Sequence, residues 1–325
     1  MSFKDVGKLD VSPVKGAADS LIRNISEVIV GKRETIEMVI VALLSEGHIL
    51  IEDVPGIGKT MLARATAASL GGTFKRIQFT PDLLPSDVTG IYYFNQKLMD
   101  FEFRPGPIMS NIILGDEINR ATPRTQSALL EAMQERQVTV DIATRSLPRP
   151  FLVIATQNPI ELEGTFPLPE AQLDRFLFRL NLNYPTEDEE KLILSRFQRD
   201  NPLDNLPSVL HVESLVTLQG LCREVYVEDS LRKYLVSLVR ATRAHPDIEL
   251  GASPRASLSL HLAAQAIAAV RGRSYVIPDD IKYLAIPALA HRIILKAEAR
   301  LRGRSAENMI EDVVAKTPVP VEASS

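Results

Sequence analysis

The run Asp53-Val54-Pro55-Gly56-Ile57-Gly58-Lys59-Thr60 constrains this chain more than any other segment. Before it stands His48-Ile49-Leu50-Ile51-Glu52, an apolar run of the length of a buried strand, and after it Thr60 to Leu70 reads as a helix. A strand, a glycine-rich turn and a helix in that order make a phosphate cradle. Glycines let backbone N–H groups point at phosphate oxygens, and the positive helix end adds to the attraction. In such a cradle Lys59 reaches the β- and γ-phosphates and the Thr60 hydroxyl faces Mg²⁺. Pro55, Gly56, Ile57, Gly58 and Met61 complete the expected nucleotide-contacting loop. The strict motif opens on glycine, and Asp53 stands in that place. A carboxylate facing phosphates is repelled, so Asp53 points away or the turn differs. The plain alternative is a strand-to-helix turn with a lysine near the helix start.

Ile112-Ile113-Leu114-Gly115-Asp116-Glu117 is an apolar strand ending in two acids. Set beside the strand of the glycine-rich turn, it brings Asp116 near the metal, and Glu117 is then placed to polarise the attacking water as a general base. Two solvated acids at a strand end are the alternative. Phe151-Leu152-Val153-Ile154-Ala155-Thr156-Gln157-Asn158-Pro159 is a third strand, ending in uncharged polar groups. There Asn158 is expected to hold the γ-phosphate or the water by hydrogen bonds, although Asn-Pro is also a common turn dipeptide. Arg175 lies between a short helix and a strand. Arg255 follows Ser253-Pro254, a helix-start signal. A positive charge is disfavoured at that end of a helix, so a nearby anion would resolve the conflict. Phosphate contact is the expectation for both arginines.

Strand-like runs at 74–79, 112–114, 151–155 and 176–182 alternate with helical ones, which predicts an α/β fold: a parallel sheet covered by helices on both faces. After Tyr184-Pro185-Thr186 the strand signals stop. Thr186 before four consecutive acids reads as a capped helix start, and helical patterns then run on through 187–197, 212–222, 230–244, 255–269 and 278–299. The expected layout is a flexible arm over 1–15, a nucleotide-binding core over 16–185, an all-α lid over 186–315 and a disordered tail over 316–325.

The 325 residues suit two domains, and 45 % apolar content suffices for a sizeable core. The net charge of -4 gives no hint of a broad phosphate-binding surface. Cys222, the one cysteine, lies in an apolar context and reads as a core residue, with no intrachain disulfide open to it. Apolar runs are too short for a transmembrane segment, which needs roughly 20 residues, and the first residues lack a signal-peptide core. These features point to the cytoplasm.

Taken in order, the glycine-rich turn, Asp116-Glu117-Ile118-Asn119-Arg120-Ala121, Ala155-Thr156-Gln157-Asn158-Pro159 and Gln172-Leu173-Asp174-Arg175-Phe176 resemble the MoxR-type AAA+ ATPases, and the similarity covers nearly the whole length. That family accepts a non-glycine at the place of Asp53. The resemblance implies an ATPase with ATP and Mg²⁺, with Asn158 as sensor 1, Arg255 as sensor 2 and Arg175 as an arginine finger reaching the neighbouring subunit's nucleotide. Val30 and Gly31 correspond to the adenine-lining segment. An insertion within 83–104 and a hairpin near 138–147 would face a central pore, where Tyr92, Tyr93 and Phe94 either grip substrate or pack the hairpin. The resemblance further implies a ring, a hexamer, that remodels or activates a separate protein, often one with a von Willebrand factor A domain. A nucleic-acid translocase and a nucleotide-gated scaffold are the alternatives. The net charge argues against the first, and the presence of both Glu117 and Arg175 against the second.

Overall fold

A computed structural model describes residues 9–141, 143–158 and 164–320. Two helices, α1 (Ser12–Val28) and α2 (Arg33–Leu44), precede the strand β1 (Ile49–Glu52) and the helix α3 (Lys59–Ser69). Then come β2 (Phe74–Gln78), α4 (Pro85–Thr89), the hairpin β3 (Gly90–Asn95) and β4 (Asp100–Pro105), β5 (Ile112–Asp116) and α5 (Pro123–Glu135). A second hairpin, β6 (Gln137–Val140) and β7 (Ala143–Ser146), leads to β8 (Leu152–Gln157), α6 (Glu170–Leu173) and β9 (Phe178–Leu180). Beyond them lie α7 (Glu187–Phe197), α8 (Val212–Arg223), α9 (Asp229–Ala244), β10 (Ile248–Leu250), α10 (Pro254–Val270), α11 (Pro278–Leu289), β11 (Ile294–Leu295), α12 (Ala297–Leu301) and α13 (Ala306–Lys316).

The central sheet is five-stranded in the order β2-β5-β8-β1-β9, and every pairing in it is parallel. Alternate side chains along β1, β5 and β8 enter two different cores, which is why these strands are apolar up to their polar ends. Ile49, Ile51, Leu114 and Ile154 face α1 to α3, whereas Leu50, Ile113, Val153 and Ala155 face the α5 side. The first of these cores continues through α8 to α11 and α13, so lid and core share one apolar interior.

Several expectations shift. The strand β8 lies between β1 and β5, so the acid-pair strand is not the direct neighbour of the cradle strand. Asp116 still reaches the cradle because all three strands are parallel and end at the same edge. Ser12 to Lys15, expected in the flexible arm, instead open α1, with Pro13 in its first turn, where a missing N–H costs nothing. Residues 1–8 lie outside the described residues. The lid is not purely helical, since β10 and β11 pair antiparallel, but segments of three and two residues are too short to show a period. The single helix expected over 278–299 breaks after Leu289 into a 3-10 turn, β11 and α12, with Pro287 in the last turn of α11. Lys316, expected as the first residue of the tail, is the last residue of α13, and 321–325 lie outside the described residues. The cap at Thr186 forms: its Oγ accepts from the Glu189 N–H at 3.3 Å, and Glu189 Oε2 accepts from the Thr186 N–H at 2.8 Å. Among the described residues no helix is long and apolar enough to cross a membrane.

Candidate active site

Gly56 and Gly58 both adopt the left-handed backbone, with φ of 87° and 95°. A Cβ added at either would meet no heavy atom within 4 Å. Backbone conformation, not crowding, requires glycine here, and the space above the turn is open for phosphates. Gly58 caps α3, so the helix N–H groups face that space. Lys59 Nζ donates to the Asp53 carbonyl at 2.8 Å, which lays the lysine back across the turn. Burial holds its ammonium below the usual range, while Asp116, then Asp53 and Glu117, pull it back up.

The Asp53 carboxylate points away from the turn. Its Oδ2 accepts from the N–H groups of Leu182 at 2.6 Å and Asn183 at 2.9 Å, and its Oδ1 from that of Val54 at 3.1 Å. The residue therefore fastens the end of β1 to the chain leaving β9, and its charge is satisfied there.

At the end of β5, Thr156 of β8 organises the acid pair. Its hydroxyl donates to Asp116 Oδ1 at 2.6 Å and accepts the Glu117 N–H at 2.9 Å. Glu117 sits in the left-handed region, φ 57° and ψ 49°, a conformation that costs a non-glycine residue about 1–2 kcal/mol. The bond from Thr156 and the 3-10 turn Ile118–Arg120 hold it there. The Glu117 carboxylate accepts from Gln78 Nε2 at 2.7 Å and Arg120 Nη1 at 2.9 Å. Asp116 Oδ2 accepts from Arg76 Nη2 at 2.6 Å and Nε at 3.1 Å.

Pro55, Gly56, Gly58, Lys59, Thr60, Met61, Asp116, Glu117 and Asn158 line one cleft of ≈ 360 Å³, together with Arg76. Sequence reasoning missed Arg76, Gln78 and the role of Thr156. The signal existed in part: Arg76 and Gln78 stand two apart on an edge strand, on the same face, in register with Leu114 and Asp116. Ile57 packs against the core below the turn. Val30 and Gly31 are not in the lining of this cleft. Gly31, at φ 74°, is covered by the Glu189 carboxyl at the start of α7, and Lys32 reaches the Tyr184 carbonyl at 3.2 Å. Thr60 and Asp116 offer a hydroxyl and a carboxylate oxygen in one cleft, a donor set that suits a hard cation shared with phosphate oxygens.

Arg175 and Arg255 line a different cleft, of ≈ 280 Å³, with Gln134, Arg136 and Asp174. Arg255 Nη2 donates to Gln134 Oε1 at 3.2 Å, and its Nε lies 3.9 Å from Asp174 Oδ2. Asp174 is thus one anion beside the positive charge at the start of α10. Ser253 caps that helix through the Arg255 N–H at 3.2 Å and donates to Asp174 at 3.0 Å. The Arg175 Nε is buried without a hydrogen-bond partner.

Comparison with known proteins agrees with this geometry. Residues 48–178 match the model of the ATPase family associated with various cellular activities (AAA), and residues 240–313 match the AAA lid domain. The chain is 52 % identical to an uncharacterized Bacillus subtilis protein, YeaC, covering 97 % of this chain and 98 % of that one. It is 43 % identical to the chaperone MoxR1 of Mycobacterium tuberculosis, over 92 % of this chain and 81 % of the relative. The crystal structure of a candidate ATPase from Cytophaga hutchinsonii superposes with a TM-score of 0.89 at 39 % identity, covering 95 % of this chain and 96 % of that one. With a phosphate cradle, an acid pair and a helical lid in one chain, and relatives of this closeness along nearly its full length, the protein belongs to the MoxR family of AAA+ ATPases and hydrolyses ATP.

Proposed function

We propose that the chain hydrolyses ATP with Mg²⁺ at junctions between copies of itself in a closed ring, and uses each cycle to remodel a separate partner protein. One observation carries this reading: the cradle and acid pair line one cleft, while Arg175 and Arg255 line another. A head-to-tail ring joins two different faces of each copy, so it can set the second cleft of one copy over the first cleft of the next. In this reading Lys59 holds the β- and γ-phosphates, Thr60 and Asp116 hold the cation, and Glu117 takes the proton of the attacking water. Asn158 orients that water or the γ-phosphate. Arg175 and Arg255 arrive from the neighbour and stabilise charge that grows in the transition state. The cation polarises the phosphate oxygens it touches. Arg76 now pairs with Asp116, so cation uptake competes with that ion pair.

The relative named a chaperone supports a protein substrate. So does the hairpin of β3 and β4, which exposes Tyr93, Phe94, Leu98, Met99 and Phe101, an apolar surface suited to gripping polypeptide. A protein with a von Willebrand factor A domain is the partner class that the family resemblance implies. Sedimentation tests the assembly: with ATP and Mg²⁺ at micromolar protein the chain should run as a ring, a hexamer, because a nucleotide that bridges two copies links binding to assembly. A monomer under saturating ATP contradicts the reading. DNA added to the ATPase assay should leave turnover unchanged.

A further inference from the structure

The segment that carries Arg175 is gripped from the lid by one buried arginine. Arg292 lies in the short turn after α11, with 1 % of its side chain exposed. Its Nη2 donates to the carbonyl of Phe176 at 2.7 Å and that of Asp174 at 3.3 Å, the residues on either side of Arg175. The same nitrogen donates to Ser259 Oγ of α10 at 3.2 Å. Its Nε lies 3.3 Å from Asp174 Oδ1, an ion pair without hydrogen-bond alignment. The neighbouring His291 Nε2 donates to the Phe176 carbonyl at 3.1 Å. On its other oxygen Asp174 takes Ser253 and faces Arg255. One guanidinium therefore ties together the backbone around Arg175, the carboxylate beside Arg255 and the helix that carries Arg255.

We propose that Arg292 is a positioning residue for hydrolysis: it locks Arg175 and Arg255 into one rigid unit aimed at a neighbouring copy's phosphates. The arrangement costs more than packing alone would require. Burial pulls the Arg292 guanidinium down to about 10, Asp174 opposing that and Arg255 adding to it. A buried cation with only part of its donors satisfied is expensive, and an apolar side chain would fill the same volume more cheaply. Arg175 Nε and Arg292 Nη1 are also buried without hydrogen-bond partners, so the segment is held short of its full complement of bonds. Because Arg292 belongs to the lid and Arg175 to the core, a lid displacement moves the finger with it.

This inference rests on the reading of Arg175 as a finger, and the test separates the two. Arg292→Lys keeps the charge but cannot span two carbonyls and a carboxylate. Its kcat should fall about 10- to 100-fold, the cost of a misplaced group, with KM and affinity for a non-hydrolysable ATP analogue within about twofold of wild type. A cooperative melt checks that the variant is folded. Added to Arg175→Ala, Arg292→Lys should cause a smaller further loss in single-turnover hydrolysis of labelled ATP than it causes alone, since only Arg255 is left to aim. Wild-type kcat in Arg292→Lys, while Arg175→Ala is inactive, overturns the positioning role alone. An equal loss on top of Arg175→Ala does the same. Wild-type turnover in Arg175→Ala overturns the finger reading and this inference with it. Should Arg292→Lys fail to fold, Asp174→Asn is expected to give the same split between kcat and KM, and wild-type kcat in that variant overturns the proposal.

Discussion

The Thr156 hydroxyl donates to Asp116 Oδ1 at 2.6 Å while the same oxygen accepts the Glu117 N–H at 2.9 Å. One side chain on β8 therefore sets the direction of the carboxylate assigned to the cation and the backbone of the assigned base. Thr156→Val keeps the volume and removes both bonds. We expect kcat to fall about tenfold or more, as for other groups that orient a reacting centre, with nucleotide affinity little changed. Steady-state ATPase assays beside a nucleotide titration check this. An unchanged kcat removes Thr156 from the site.

Asp53 fastens β1 to the chain after β9 through two backbone N–H groups. Asp53→Ala leaves those donors without their partner, which typically costs about 1–3 kcal/mol. The expected outcome is a lower melting temperature with ATP binding retained. A drop in ATP affinity at unchanged stability would show that the carboxylate serves the nucleotide instead.

Glu117→Gln should bind ATP as the wild type does and hydrolyse it far more slowly. The amide keeps the shape but cannot take a proton. A nucleotide titration and a turnover assay on the same preparation decide it, and turnover near wild type assigns the water to another residue.

The fold and the first cleft were legible because their signals are contiguous. Gly56, Gly58, Lys59 and Thr60 are neighbours in the chain, as are Asp116 and Glu117, and each set follows its own apolar strand. What escaped was set by register and packing. Arg76 and Gln78 meet the acid pair only because β2 pairs in parallel with β5. The place of β8 between β1 and β5 does not follow from chain order. Arg292 carries no motif, and its contacts with Asp174 and Phe176 span more than a hundred residues of sequence. Asp53 left two readings open in the sequence, and the N–H groups of Leu182 and Asn183 decide between them.

In the proposed ring each working site is assembled from two copies, and mixing two inactive variants exposes that division. Arg175→Ala keeps the cradle and loses the finger. Lys59→Ala keeps the finger and loses the charge in the cradle. Each should be inactive alone, since fingers in other P-loop enzymes contribute about 10³–10⁵ in rate. Mixed under conditions in which subunits exchange, they form some junctions that pair an intact cradle with an intact finger. ATPase activity should partly return and follow the mixing ratio, with its maximum between the two pure samples. If exchange is demonstrated and the mixture stays inactive at every ratio, or if Arg175→Ala alone turns over at the wild-type rate, hydrolysis does not take place between copies.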